Sequence, residues 1–425
     1  MESPGSVGHV SSTISHGVPL YNRLVRVLLL NLYYPPDTSA TAKMARAVVE
    51  ALSATHEVTV LCGRPSYDPI ERLPWRLYQG ESVGRVKVIR VGSSAFPRTQ
   101  MNKRVFNYLS YVFLAVPRAL FVTCDVVLAM TDPPFEGIVG AFVALLKSKP
   151  YVYNIRDMYP DMAVGGSIVK PGLLARIWER MHRWALGRAT RVIVLGEDMR
   201  NRILGKGMEP ASVVIVRDGA DLPSSSSPGP LWDPEVIREI RGNFRFVLLH
   251  AGNLGFYGAW DTLLAGAGTL AGDGIGLVFV GEGAQRARLE AAAVNLPNVR
   301  FLPFFPSSKI LSVLAAADAH LITVKHGLEG VVVPSKMYGI LAAGKPIVAV
   351  APRECDVASL GEARGFSVCV DPEDSVGFAH AVRQLCRNPE KLQAMVNAAR
   401  VAAPEYDRRR ELEKLVRCVE TAAAD

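Results

Sequence analysis

At 425 residues the chain is too long for one ordinary core and suggests two domains of roughly 200 residues each. Hydrophobic residues make up 49% and charged residues 21%, which excludes a disordered polyelectrolyte and fits a globular protein. Charge is unevenly placed: residues 1–200 hold 24 Lys and Arg against 15 Asp and Glu, and subtraction from totals of 48 and 40 leaves 24 and 25 for the rest, so nets of +9 and −1.

The first twenty residues, rich in Ser, Gly, His and Pro, read as a disordered tail and not a signal peptide. From Val25 onward, apolar runs alternate with helical patterns: VRVLLL, a helix near Thr41–Ser53, EVTVLC, VKVIRV, a helix near Lys103–Phe121, DVVLAM, a helix over Phe135–Leu146, and PYVYNI. A helix near Leu173–Gly187, RVIVL, a helix opening at Glu197 and SVVIV complete this first unit. Continuous apolar strands separated by helices predict a parallel sheet covered on both faces. The segment DLPSSSSPGPLWDP, residues 221–234, breaks the composition and predicts a linker.

The alternation then restarts with FRFVLLHAGNLG, a helix from Trp260, GLVFVGEG, a helix to Asn295, NVRFL, a helix from Ser307, AHLITV, and finally IVAV and FSVCV. The expected fold is therefore α/β, with two doubly wound Rossmann-like domains, 21–220 and 235–400, facing across a cleft. A charged helical tail, 401–425, is expected to pack outside the second unit. Six well-separated cysteines with no C-x-x-C pair suit the reduced interior of the cytoplasm. The longest apolar stretch, Tyr108–Met130, is broken by Pro117, Arg118 and Asp125 and makes a poor bilayer span. The basic first half points to an anionic partner, and without zinc-finger, helix-turn-helix or RNP-like signatures an anionic membrane is favoured over nucleic acid.

Ligands of such sheets bind beyond the carboxyl ends of the strands, so the loops there carry the functional candidates. In the second unit, Gly252-Asn253-Leu254-Gly255 and Gly281-Glu282-Gly283 follow successive strands, where glycines let backbone approach a bulky anion. The run GLEGVVVPSKMYGILAAGKPIVAV enters a helix through Pro334, Ser335 as N-cap and Lys336 in the first turn, a field that favours a diphosphate. An ordinary αβ unit would read the same way. In the first unit the loops after two strands hold Tyr34 and then Arg156, Asp157, Tyr159 and Asp161, groups suited to hydroxyl recognition or proton acceptance, or simply to a capped turn. Histidines are scattered and D-x-D and H-E-x-x-H are missing, so no metal and no separate cofactor is expected.

LYYPPDTSATA, VFNYLSYVFLA, DVVLAMTDPP, RDMYPD, HAGNLG, FVGEG and VPSKMYGILAAGKPIVA occur in this order over roughly residues 25–400. Their succession resembles glycosyltransferase family 4, of GT-B architecture, and especially the bacterial fucosaminyltransferase-type enzymes of O-antigen and exopolysaccharide assembly. The resemblance implies a retaining transfer from a nucleoside diphosphate sugar, taken as a UDP-sugar carrying an N-acetylated amino or deoxy sugar, to a lipid-linked glycan precursor. It implies a donor site of Gly252, Asn253, Leu254, Gly255, Gly281, Gly283, Glu329, Gly330, Pro334, Ser335, Lys336 and Tyr338. Tyr34, Arg156, Asp157 and Tyr159 would meet the acceptor, with Asp157 and Lys336 as catalytic groups. It also implies a peripheral protein on the inner face of the cell membrane, docked through Lys103, Arg104 and Arg118. The chain departs from the family pattern: Val331 and Gly339 stand where many members have two glutamates, Asn253 and Gly258 where they have Arg and Lys, and Thr38-Ser39-Ala40 where they have a double glycine. A non-catalytic nucleotide-binding partner of the same fold, or a sugar-nucleotide epimerase, remain alternatives.

Overall fold

The computed structural model describes residues 24–67, 73–96, 101–166, 168–222 and 232–425, with the side chains of 101 and 102 undescribed; the 1–20 tail and most of the 221–234 linker lie outside this set. Eight strands form the first sheet: β1 (Arg26–Leu30), β2 (Glu57–Cys62), β3 (Tyr78–Val83), β4 (Val86–Val91), β5 (Val126–Ala129), β6 (Tyr151–Asn154), β7 (Arg191–Val194) and β8 (Val213–Ile215), in the order β3-β4-β2-β1-β5-β6-β7-β8. Six form the second: β9 (Phe246–Ala251), β10 (Ile275–Val280), β11 (Val299–Leu302), β12 (Ala319–Thr323), β13 (Ile347–Val350) and β14 (Ser367–Val370), in the order β11-β10-β9-β12-β13-β14. This second order is that of a Rossmann sheet, and in both sheets the strand order reverses beside the first strand, placing switch points at β1/β5 and β9/β12.

The parallel pairing follows from strands such as VVLA and YVYN, apolar at every position and buried on both faces. The exception is β3, YQGESV, which pairs antiparallel with β4 through a turn at Gly84. It was not expected, because an exposed, polar edge strand has no apolar run to announce it. Ser39, at the place of the family's double glycine, caps helix Ala40–Ser53, its hydroxyl accepting from the Ala42 N–H at 3.0 Å.

The last helix, Arg408–Ala424, corrects the expected position of the tail. Its apolar stripe of Leu415, Cys418, Val419 and Ala422 joins Leu29, Val48, Val49 and Leu52 in one cluster, so it covers the first sheet rather than the second unit. His56 to Glu420 at 3.0 Å and Arg191 to Asp425 at 2.8 Å hold it there.

The two domains touch through a continuous apolar cluster that includes Met158, Leu328, Val331 and Met337. Beside it, helices Glu197–Gly205 and Asp356–Arg364 meet at their N-termini. Asp356 accepts from the Glu197 N–H at 3.0 Å and Asp198 from the Asp356 N–H at 3.4 Å, a reciprocal cap across the domain boundary.

Candidate active site at the facing strand ends

On the second domain, β9 carries His250 just before its last residue, fully buried and edge-on to Trp260 with ring centroids 5.0 Å apart. Burial, reinforced by the nearby Lys336 ammonium, pushes its imidazole well below the usual range, so it stays neutral. His250 Nε2 lies 3.1 Å from Lys336 Nζ. Among the described residues Lys336 has no carboxylate ion-pair partner, and burial lowers it to about 7, although its side chain remains partly open to solvent. Gly252, at φ +145°, makes room for it: a Cβ there would stand 3.0 Å from Nζ. The result is a positioned lysine with no counter-ion, at the carboxyl end of a strand beside a switch point. That is an arrangement suited to an incoming anion.

The glycine loops serve a different purpose from the one expected. A Cβ on Gly281, whose φ is +148°, would stand 2.0 Å from the Gly252 carbonyl oxygen, and one on Gly283 would stand 2.4 Å from that of Leu254. The Gly252 and Leu254 N–H groups donate to Val280 and Glu282 at 2.9 and 2.8 Å. These glycines let the two loops press together, and two of the N–H groups expected to bind the diphosphate are committed to that contact. Leu254 is a core residue, Gly255 accepts from the Trp260 indole at 2.7 Å, and the exposed Asn253 accepts from the Tyr257 hydroxyl through its carbonyl.

In the following segment, Ser335 is exposed but makes no side-chain cap to helix Lys336–Ala342, contrary to expectation, and Pro334 is half-buried beside it. Tyr338 is buried against Tyr406, at 5.4 Å between centroids, and is a packing residue rather than a donor contact. Glu329 faces Arg202 of the first domain at 3.7 Å, and that arginine also donates to its carbonyl. Gly330, at φ +65°, packs its α-carbon against the Asp198 carbonyl, where a Cβ would stand 2.4 Å away. Both belong to the domain contact, so neither is placed as a donor ligand.

The first domain brings the Asp157 loop against the segment that leads to Lys336. Asp157 forms a β-bridge with Val332, and the Met158 N–H donates to the Val331 carbonyl at 3.2 Å, so the segment that carries Lys336 also meets the Asp157 loop. Burial raises the Asp157 carboxyl to about 6, with Asp132 adding to the rise and Arg156 opposing it. Arg156 is not free for an acceptor, because its guanidinium donates to both Asp218 oxygens at 2.6 and 2.7 Å. Tyr34 turns to the opposite face under Arg90, and Tyr33 takes the cleft position, hydrogen-bonded to Tyr108. Tyr159 stacks on Trp178, with centroids 5.8 Å apart and planes within 9°.

Asp132 and Arg104 were missed as site residues. Asp132, just beyond β5, has its carboxyl raised by burial and accepts from Thr41, while Arg104 donates to the Tyr108 hydroxyl at 2.6 Å and lies close enough to oppose that rise. The strand-end rule applied to DVVLAMTDPP would have found Asp132. Arg104 carried no such signal, since helix Met101–Leu120 reads as a basic amphipathic surface and only packing turns this side chain inward.

The comparisons with known proteins agree with this geometry. The Glycosyl transferase 4-like domain family matches residues 39–219, and the Glycosyl transferases group 1 family matches residues 245–388. The chain is similar to the probable glycosyltransferase WbjE of Pseudomonas aeruginosa, 25% identical over 76% of this chain and 82% of that one. It is also similar to the putative colanic acid biosynthesis glycosyl transferase WcaI of Escherichia coli, 24% identical over 86% and 93%. Anabaena HepE in complex with UDP superposes with a TM-score of 0.65 over 93% of this chain and 100% of that one, at 15% identity, a likeness of fold. Two facing Rossmann-like domains, each matched by its own transferase family, make this chain a GT-B glycosyltransferase built from a glycosyl transferase 4-like domain and a group 1 domain.

Proposed function

We propose that the protein transfers a sugar, with retention, from a UDP-sugar to a lipid-linked glycan precursor for a surface polysaccharide, at the inner face of the cell membrane. The observation that carries this reading is Lys336, held by a neutral His250 without a counter-ion, on the segment that also meets Asp157. The UDP complex of HepE supports the nucleotide and the description of WcaI supports the polysaccharide. The basic first half, with Lys103 and Arg118 on one helix, supports an anionic membrane; Arg104 serves the cleft instead. Among the described residues no helix is long and apolar enough to cross a membrane.

In this mechanism the bond from the anomeric carbon to the diphosphate breaks through an oxocarbenium-like state, and Lys336 takes up the charge on the leaving oxygen. The acceptor hydroxyl attacks from the same face, its proton passing to that oxygen, while Asp157 orients the hydroxyl. The test is incubation with labelled UDP-sugars and a prenyl-diphosphate-linked sugar, reading the anomeric configuration of the product by NMR. An inverted product rejects retention, and turnover of the donor to an epimer without acceptor rejects transfer.

Asp157→Asn is expected to lower turnover by about tenfold to a hundredfold while leaving UDP affinity unchanged. An equal loss of UDP affinity, read by calorimetry, would move Asp157 out of the acceptor role. UDP binding itself is expected to weaken with pH. Lys336 binds a diphosphate in its charged form, which predominates below about 7 and is lost above it, so affinity should fall by up to about tenfold per unit at higher pH. Titrations at pH 6.5, 7.5 and 8.5 check this, and a flat profile contradicts it.

A further inference from the structure

Helices Met101–Leu120, Glu136–Lys147 and Leu173–Arg188 enclose an open groove of about 880 Å³ on the first domain. Its walls include Val112, Phe113, Val116, Ile138, Phe142 and Trp184. Phe113 is 79% exposed, and Leu173 and Leu174 next to the groove are 72% and 77% exposed, a concentration of apolar surface beyond scattered single residues. Among the described residues, Arg180 is the only charged one in the lining. The helix that carries it has four arginines, Arg176, Arg180, Arg183 and Arg188, against the single acid Glu179.

Two of these helices run from the cleft into the groove. Trp178 stacks under Tyr159 of the Asp157 loop, while Ile177 and Met181 of the same helix line the groove. On the other helix, Arg104 and Tyr108 reach the Tyr33–Asp132 cluster, and Val112, Phe113 and Val116 line the groove one to two turns further on. A peptide would need partners for its backbone N–H and C=O groups, and these walls offer almost none; a hydrocarbon chain needs none. An apolar slot with a cationic residue, built on two helices that also reach the acceptor side of the cleft, fits an amphiphile with an anionic end.

We propose that this groove receives the hydrocarbon chain of the lipid-linked acceptor, whose sugar lies in the cleft beside Asp157. The proposal rests on the reading of the acceptor as lipid-linked. Chain length beyond the groove continues into the bilayer, so Phe113 and Ile177 set how well a prenyl carrier is held against the cleft.

The test is binding of labelled geranylgeranyl diphosphate to the full chain saturated with UDP, which blocks the Lys336 site to the probe's own diphosphate. Phe113→Glu and Ile177→Glu are expected to weaken the probe at least about tenfold by setting a charge against hydrocarbon. Val376→Glu, at an apolar position on the second domain about as exposed as Phe113, should not change it. Melting temperature and UDP affinity should be unaltered in all three, since these side chains are largely at the surface. Unchanged probe affinity in both groove variants overturns the proposal. Vesicles of phosphatidylglycerol and phosphatidylethanolamine separate the other occupant: variants that lose vesicle flotation but keep the probe make this face a bilayer contact only, which also overturns it. Probe binding requires no transfer, so a protein that binds the probe in the groove yet glycosylates only soluble acceptors would leave the groove standing and reject the lipid-linked acceptor.

Discussion

Lys336→Ala is expected to lower kcat/KM for sugar transfer by about a hundredfold or more, the loss found when one preorganised charge donor is removed from a leaving group. No neighbouring cation replaces it in sequence, because Asn253 and Gly258 stand where the resembling family places Arg and Lys. Two of the loop N–H groups that might have shared the charge are bound to Val280 and Glu282. The same variant should melt at the temperature of the parent or above it. The ammonium is largely desolvated and, among the described residues, has the neutral His250 as its hydrogen-bond partner, so its removal relieves a cost of burial. Steady-state transfer together with a thermal melt checks both halves. Unchanged turnover removes Lys336 from the donor site, and a large drop in melting temperature would make it a structural residue.

Gly281→Ala should act the other way, through stability first. The residue sits at φ +148°, where L side chains are strained, and the new methyl would stand 2.0 Å from the Gly252 carbonyl oxygen and 3.2 Å from the Phe304 ring. Retreat is blocked on both sides: the Gly281 N–H donates to Leu302 at 3.0 Å and the Gly252 N–H to Val280 at 2.9 Å. Separating the loops to admit the methyl should cost about 3 kcal/mol or more, or roughly 6–12 °C of melting temperature for a domain of this size. UDP affinity should fall with it, because Gly252 is also the wall beside Lys336. Gly187→Ala is the control, a helical glycine with nothing within 4 Å of its would-be Cβ, and it should be neutral or stabilising by up to about 1 kcal/mol. A Gly281→Ala protein that melts like the parent would show that the loops are not locked together.

Much of this architecture was legible residue by residue. EVTVLC and VKVIRV form strands over the residues expected, and helix Leu173–Arg188 ends one residue beyond its expected bound. Apolar runs buried on both faces admit no register in which a polar partner strand would serve, so local pattern and global fold agree. β3 escaped because hydrogen bonding to β4, and not burial, makes it a strand.

The site was legible by loop and not by side chain. The strand-end rule selects the loops after β1, β6, β9 and β10, and Lys336 and Asp157 lie where the two domains meet. Adjacent residues in a loop point in different directions, and no pattern in the sequence says which. Tyr33 therefore faces the cleft while Tyr34 packs behind it, and Arg156 is drawn to Asp218, 62 positions away, while Asp157 stays at the domain contact. His250 was invisible for the same reason: in sequence it is the apolar strand's polar end, and only Trp260 and Lys336 closing around it make it a buried neutral base.

The sequence by itself therefore determined two Rossmann-like sheets, their facing loops and the excess positive charge of the first half, because each follows from short-range periodicity or composition. Tertiary structure alone decided which loop residues reach the cleft, that the glycines join two loops, and that the last helix returns to the first domain. Those outcomes depend on contacts between segments far apart in the chain, where burial and pairing override local preference.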